Sequence, residues 1–322
     1  MISPIFIFSL PRSGSTLLQR ILMSNNKIAS TAEPWILLPL VYSIKLQGSL
    51  TEYSHSHSFR AINDFIEFLP NQKNDYYKEL NLLVKGLYEK HCKNGEFFFL
   101  DKTPRYYLII PEIAKIFPEA KFIFLFRNPV QIMSSMMETW SNNNFKNLYH
   151  YDTDLKRGPK LLSEGYELLK DRSYSIRYED LINSPTNTMK GLCEFLNVIF
   201  ENGMLQDFSR QKTHGSMGDP TGTKKYQSIK KESFDKWKKT FNNLYRLYVV
   251  KSYIQNLDKK TLHIQGYDKE EILISLKNCR INSFFSFKDI FHVIRWKVIV
   301  KYNLNIFAGR KTSKWIRGRM MS

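Results

Sequence analysis

Residues 4–22, PIFIFSLPRSGSTLLQRIL, decide how this chain is read. The run Ile5–Ser9 is apolar without alternation, which predicts a strand covered on both faces in a parallel sheet. Pro11 and Gly14 then turn the chain, and helical periodicity starts near Ser15. Such a strand–turn–helix aims several backbone N–H groups and a helix N-terminus at one point, where an anion is favoured. Ser13, Ser15 and Thr16 add hydroxyl donors, and Arg12 adds a charged fork suited to phosphate or sulfate oxygens. An ATP-binding loop would end in Gly-Lys-Ser/Thr, with the lysine on the β- and γ-phosphates and the hydroxyl on Mg²⁺. Here the triplet is Gly14-Ser15-Thr16 and that lysine is missing. A donor lacking β- and γ-phosphates would not need it.

Working outward, three further apolar runs read as buried parallel strands: Phe97–Leu100, Lys121–Phe126 and Tyr174–Tyr178. Helical spacing occupies Thr16–Met23, Tyr76–His91, Tyr106–Phe117, Val130–Trp140, Leu155–Lys170 and Thr186–Leu196. Strands alternating with helices predict an α/β fold, a three-layer sandwich with a mainly parallel central sheet. Ligands of such sheets sit at the carboxyl ends of strands. After about Asp207 the texture changes: His214–Ser228 reads as a loop, and Ser283–Tyr302 is a long aromatic and aliphatic stretch. Two parts are expected, a main domain over 1–279 and a basic, aromatic-rich helical extension over 280–322.

The segment LPRSGSTLLQRIL resembles the 5′-phosphosulfate loop of the sulfotransferases that use 3′-phosphoadenosine 5′-phosphosulfate (PAPS). Its Pro-Arg-Ser-Gly-Ser/Thr-Thr form is the one seen in tyrosylprotein, carbohydrate and many bacterial members. The resemblance runs over roughly 4–240, and it implies the P-loop-like fold of that family and PAPS as donor substrate. It assigns Arg12, Ser13, Gly14, Ser15 and Thr16 to the 5′-phosphosulfate. In AKFIFLFRNPVQIMSSMMETW, Arg127 ends a strand and Ser135 follows eight positions later. That order and spacing match the family's 3′-phosphate site. Pro129 is a fitting first-turn residue for the helix between them.

Sulfuryl transfer, like phosphoryl transfer, is served by positioning and by positive charge near the leaving oxygen. The resemblance makes Arg12 and Lys102, the latter in FFFLDKTPRYY beside Asp101, the candidates for that task. The attacking hydroxyl also needs a base within hydrogen-bond reach. The phenol and steroid enzymes place a histidine two positions after their lysine, where this chain has Pro104. Tyrosylprotein and heparan-type members use a glutamate beyond the first helix, and Glu33 in STAEPW stands there. His55, His57 and His150 are reserves that nothing around them selects. Tyr178 in SIRYEDL is open to two readings, a nucleotide contact or a core aromatic whose hydroxyl caps a network. The segment 218–231 resembles the family's late nucleotide-covering loop, with Gly218 and Gly222 letting Lys224 and Lys225 reach the donor. No metal site is read.

Composition agrees with a folded chain that has a sizeable core: 43 % of the 322 residues are hydrophobic and 14 % aromatic. The net charge of +18 is uneven, since residues 1–208 carry 23 basic against 22 acidic residues and 209–322 carry 25 against 8. An anionic partner follows: a nucleotide, an acidic glycan or a membrane surface. From Arg280 to the end, 10 basic residues and Asp289 are interleaved with Phe284, Phe285, Phe287, Phe291, Trp296 and Trp315. Three readings of this stretch stand: an interfacial helix on anionic lipid, a cationic guide for an acidic glycan, or a helix packed on the main domain. Three scattered cysteines, with no leader or spanning segment in view, suggest a cytoplasmic protein. The expected activity is transfer of a sulfuryl group from PAPS to a hydroxyl of a carbohydrate, lipid or small molecule, without nucleic acid. The alternatives are a P-loop kinase or NTPase, and a non-catalytic nucleotide- or membrane-binding protein. The acceptor loops are expected at Leu37–Asp75 and Ser141–Asp154.

Overall fold

The computed structural model describes residues 2–141, 151–211, 213–215 and 234–283, with Asn143, Phe145, Leu148, Met217, Asp289, Ile294 and Val298. The chain forms two compact units, Met1–Phe126 with Leu161–Lys231, and Arg127–Lys160 with Glu232–Ser322.

The first unit is built on one parallel sheet. Its strands are β1 (Ser3–Ser9), β2 (Ile28–Ser30), β3 (Phe98–Asp101), β4 (Lys121–Phe126) and β5 (Ser173–Arg177), in the order β2-β3-β1-β4-β5. Successive strand residues point to opposite faces, and Ile5, Phe6, Ile7 and Phe8 are all fully buried. Both faces of the central strand are therefore covered, which gives the three layers of the fold. One face is phenylalanine-rich: Phe8 stacks on Phe122 at 5.7 Å between centroids and meets Phe124 at 5.2 Å. These contacts set the β1–β4 register, with Phe6 opposite Phe122 and Phe8 opposite Phe124. On the other side Phe6 pairs with Asp101, the last residue of β3, so β1 runs on past the end of the FFLD strand to Ser9.

Helices of this unit are α1 (Ser15–Met23), α2 (Leu37–Tyr42), α3 (His55–Glu67), α4 (Lys73–His91) and α5 (Ile110–Ile116). The second unit begins with α6 (Pro129–Trp140), and α7 (Gly158–Leu169) leads back into the first, which continues with α8 (Tyr178–Asn183), α9 (Pro185–Leu196) and α10 (Gly203–Asp207). The rest of the second unit holds α11 (Lys236–Thr240), α12 (Leu244–Asn256), α13 (Lys259–Ile264) and α14 (Lys269–Lys277). There, Asp289 is fully buried and takes Arg246 Nε at 2.8 Å, which fastens that point of the basic C-terminal stretch to α12. An apolar cavity of about 630 Å³ in the same unit is lined by Met133, Phe145, Leu155, Tyr245, Val249 and Leu257. Among the described residues no helix is long and apolar enough to cross a membrane.

Several expected elements differ. The edge strand β2 lies outside the expected set, because the three residues Ile28–Ser30 are too few to show a pattern. The single helix expected over Tyr106–Phe117 is a 3₁₀ turn at Pro104–Leu108 followed by α5, with Pro111 in the first turn of α5. A proline there has no N–H for an earlier carbonyl, so one helix could not run through it. The stretch expected as Leu155–Lys170 opens instead with a π turn at Thr153–Arg157. Leu37–Asp75 is not one loop, since it contains α2 and α3. Helix α3 carries Phe59, Ile62, Phe65 and Ile66 at helical spacing, although it buries only Ile66. All of 218–231, including Lys224 and Lys225, most of 280–322, and also His150, lie outside the described residues.

Candidate active site

The loop after β1 is held open by its backbone. Ser13 N–H bonds back to the Leu10 carbonyl at 3.3 Å, and both Leu17 and Leu18 N–H close on the Gly14 carbonyl. Arg12 (φ 69°) and Gly14 (φ 91°) lie in the left-handed region. For Arg12 this conformation is uncommon, and such strain persists where the surroundings over-determine it. Gly14 is required twice: by its φ, and because a Cβ there would fall on the ring of Tyr178. Helix α1 starts at Ser15 with no side-chain cap and no acidic residue in its first turn. The N–H groups of Ser15 and Thr16 have no intrahelical acceptor by geometry. The Ser13 hydroxyl is 1 % exposed and has no hydrogen-bond partner. Unused donors, an uncapped helix start and an orphaned buried hydroxyl suit a tetrahedral anion.

Two other expected residues are brought to this place. Lys102, the residue after β3, is 1 % exposed. Its ammonium donates to Glu33 Oε1 at 2.8 Å and lies 3.5 Å from Thr16 Oγ1. Glu33 Oε2 accepts from the Trp35 indole N–H at 3.1 Å. Glu33 is delivered by the irregular passage after β2, whose start Gln19 of α1 grips through Ser30 Oγ and the Thr31 carbonyl. The His214 carbonyl then accepts from Ala32 N–H and from the Thr31 hydroxyl. Thus a base candidate, a cation and a phosphate-loop hydroxyl meet within one hydrogen-bonded cluster.

Beneath it is a network that the sequence did not reveal. Asp101, fully buried at the end of β3, accepts from Tyr88 Oη at 2.6 Å, Tyr106 Oη at 3.0 Å and Thr103 Oγ1 at 3.1 Å. Burial pushes its carboxyl up to about 6, against the pull of those hydroxyls and of Lys102. Burial and then the Asp101 charge push the phenols of Tyr88 and Tyr106 well above the ordinary tyrosine value. The available signal was a carboxylate ending an all-apolar strand, which must find donors if it is buried.

Tyr178 opens α8 directly after β5 and is 2 % exposed, its ring against Gly14. His55 is engaged by the Lys45 carbonyl at 2.7 Å, and His57 is exposed on the same helix. In the second unit, Arg127 is 8 % exposed and donates from Nε to Gln131 Oε1 at 3.1 Å. Asn128 caps α6 by accepting from Val130 N–H, and Pro129 occupies the first turn. Gln131 and Ser135 lie one turn apart on one helix face, so the anchor of Arg127 shares that face with Ser135. Among the described residues no group of three His, Cys, Asp or Glu is placed to hold a metal ion.

A parallel α/β sheet with an uncapped anion loop after its central strand defines a phosphate-loop transferase architecture. The profile of the Sulfotransferase family matches residues 4–202, more than half of the chain, and the chain belongs to that family. This favours the sulfotransferase reading over the kinase alternative. The chain is 30 % identical over 139 residues to nodulation protein NoeE of Sinorhizobium fredii, covering 42 % of this chain and 31 % of that protein. It is 25 % identical over 205 residues to protein-tyrosine sulfotransferase 1 of Danio rerio, covering 62 % and 55 %. The chain therefore spans between about a third and about half of these relatives. In fold it is similar to the sulfotransferase domain from the curacin biosynthetic pathway, with a TM-score of 0.52, 24 % identity, and 74 % and 91 % of the two chains covered.

Proposed function

We propose that this protein moves a sulfuryl group from PAPS to a hydroxyl of a carbohydrate, lipid or small molecule by direct in-line transfer. The observation that carries the reading is the meeting of Lys102, Glu33 and Thr16 at the open start of α1. In this reading the loop Arg12–Thr16 holds the 5′-phosphosulfate through backbone N–H groups, the hydroxyls of Ser13, Ser15 and Thr16, and the Arg12 guanidinium. Arg127 and Ser135 take the 3′-phosphate. Tyr178 backs the loop at Gly14, and Lys224 and Lys225 add positive charge over the donor.

Glu33 is the base. As the acceptor oxygen bonds to sulfur, its proton passes to the Glu33 carboxylate. The bond between sulfur and the bridging oxygen breaks, and its electron pair stays on the 5′-phosphate. Lys102 and Arg12 stabilise the negative charge growing there. The products are a sulfate ester and 3′-phosphoadenosine 5′-phosphate (PAP). Lys102 suits this role because it stands between the carboxylate that takes the proton and the loop that holds the leaving group.

Thermal-shift measurement separates this reading from its rivals. PAP alone should raise the melting temperature, and Mg·ATP should not. Stabilisation by Mg·ATP alone would return the kinase reading. Glu33→Gln should keep the PAP-induced shift and lose transfer of label from radiolabelled PAPS to a small-molecule extract of the expressing host. Retained transfer would remove Glu33 from the mechanism.

A further inference from the structure

We propose that Asp101 is a positioning residue: through the hydroxyls of Thr103 and Tyr106 it fixes the backbone at Trp35 and Leu37 and so keeps Glu33 on Lys102. The catalytic half of this inference rests on the reading of Glu33 and Lys102 given above.

Glu33–Ile36 has no regular secondary structure of its own. Trp35 has φ 56°, in the left-handed region that a bulky residue rarely enters. Strain of this kind lasts only where neighbours impose it. Two hydrogen bonds do so. Trp35 N–H donates to Thr103 Oγ1 at 3.3 Å, and Leu37 N–H donates to Tyr106 Oη at 3.4 Å. Each accepting hydroxyl in turn donates a hydrogen bond to Asp101, Thr103 to Oδ1 and Tyr106 to Oδ2. An ionised carboxylate can only accept, so it compels both hydroxyls to donate inward and turns their lone pairs toward the two amides. The polarity of both relays is thus set by one buried charge.

Packing alone does not call for an acid here. Burying a carboxylate is costly, and a neutral side chain would fill the end of β3 at less cost. The groups facing Asp101 come from several places: Tyr88 from α4, Thr103 and Tyr106 from the chain after β3, and Lys102 as its neighbour. With its carboxyl titrating near 6, Asp101 is mostly ionised at neutral pH. Chains of hydrogen bonds in a low-dielectric interior support one another, so both relays should weaken when the anion is removed.

Hydrogen exchange at the Trp35 and Leu37 amides, read at neutral pH with label transfer from PAPS to the host extract, tests this. Asp101→Asn is the direct variant, and the milder Thr103→Val and Tyr106→Phe keep the test valid if it does not fold. Thr103→Val should lose roughly tenfold protection at the Trp35 amide, as for one hydrogen bond removed. Label transfer should fall by a similar factor at saturating PAPS while PAP affinity is retained, and Thr103→Ser should restore both. Tyr106→Phe should act in the same way at Leu37. Unchanged protection at Trp35 in Thr103→Val would overturn the proposal. So would a fall in PAP affinity and melting temperature in step with activity, the mark of a purely structural role. Wild-type transfer by Glu33→Gln would instead sink the base reading and the catalytic half with it, whereas the amide result would still decide the restraint.

Discussion

Replacing Lys102 by methionine should destabilise the fold by about 3 kcal/mol, and replacing Glu33 by glutamine in the same molecule should recover most of that loss. Two unit charges 2.8 Å apart attract by about 6 kcal/mol at an effective dielectric of 20. Taking both out of water offsets much of this. Removing one member of a buried pair nevertheless costs about 3–5 kcal/mol, since the other charge is left behind. Glu33 keeps 11 % side-chain exposure and the Trp35 indole as donor, which places Lys102→Met at the lower end. Methionine preserves the length of the buried stem, so little of the cost should come from a cavity. Glu33→Gln retains the indole contact, and the double variant should show a coupling of about 2 kcal/mol. Urea denaturation of the four proteins measures this. A Lys102→Met cost below about 1 kcal/mol, or strict additivity in the double variant, would mean that the pair does not form as described.

Gly14→Ala should destabilise by about 1–2 kcal/mol from its left-handed φ alone, with more from the Tyr178 ring, and should abolish PAP binding; wild-type melting and binding would contradict the loop geometry. Arg127→Ala should weaken donor binding by roughly 10- to 100-fold, as for a charged hydrogen bond, with turnover at saturating PAPS changed far less. Unchanged donor affinity would remove Arg127 from the 3′-phosphate site. For Asp101 the folded carboxyl titrates near 6 against an ordinary 3.8, so its ionised form is disfavoured in the fold. Its contribution is nil below about pH 3, where both states are protonated. It turns unfavourable as pH rises through 3.8 to 6, and levels off above about pH 7 at about 3 kcal/mol. Wild type should therefore lose about 2 kcal/mol of stability relative to Asp101→Asn between pH 4 and 7, and a pH-independent difference would refute the shift.

What was legible in the sequence was what local chemistry dictates. The anion loop needs a buried strand, a turn and a helix start in immediate succession, and residues 4–22 contain all three. The strand Lys121–Phe126 and the helix start at Pro129 were readable for the same reason: an apolar run closed by Arg127-Asn128 and followed at once by a proline. Pro111 carried a local signal too, and the single helix drawn through it was a misreading of periodicity. The site was only partly legible. Glu33 and Lys102 were each found through resemblance, but their pairing joins residues far apart in sequence and is a product of strand order. The Asp101 network was illegible because it joins residues 35, 37, 88, 101, 103 and 106 through side chains that follow no period. β2 escaped because three residues cannot show alternation, whereas α3 did carry a local signal in Phe59, Ile62 and Ile66 at helical spacing.

The central claim is met most directly by a crystal structure of the protein with PAP. The account predicts the 5′-phosphate on the N–H groups of the Gly14–Thr16 turn, with the Ser13 hydroxyl and the Lys102 ammonium within hydrogen-bond reach, and the 3′-phosphate on Arg127 and Ser135. A nucleotide bound with its 5′-phosphate away from that turn, or with Lys102 still turned from it toward another partner, would contradict it.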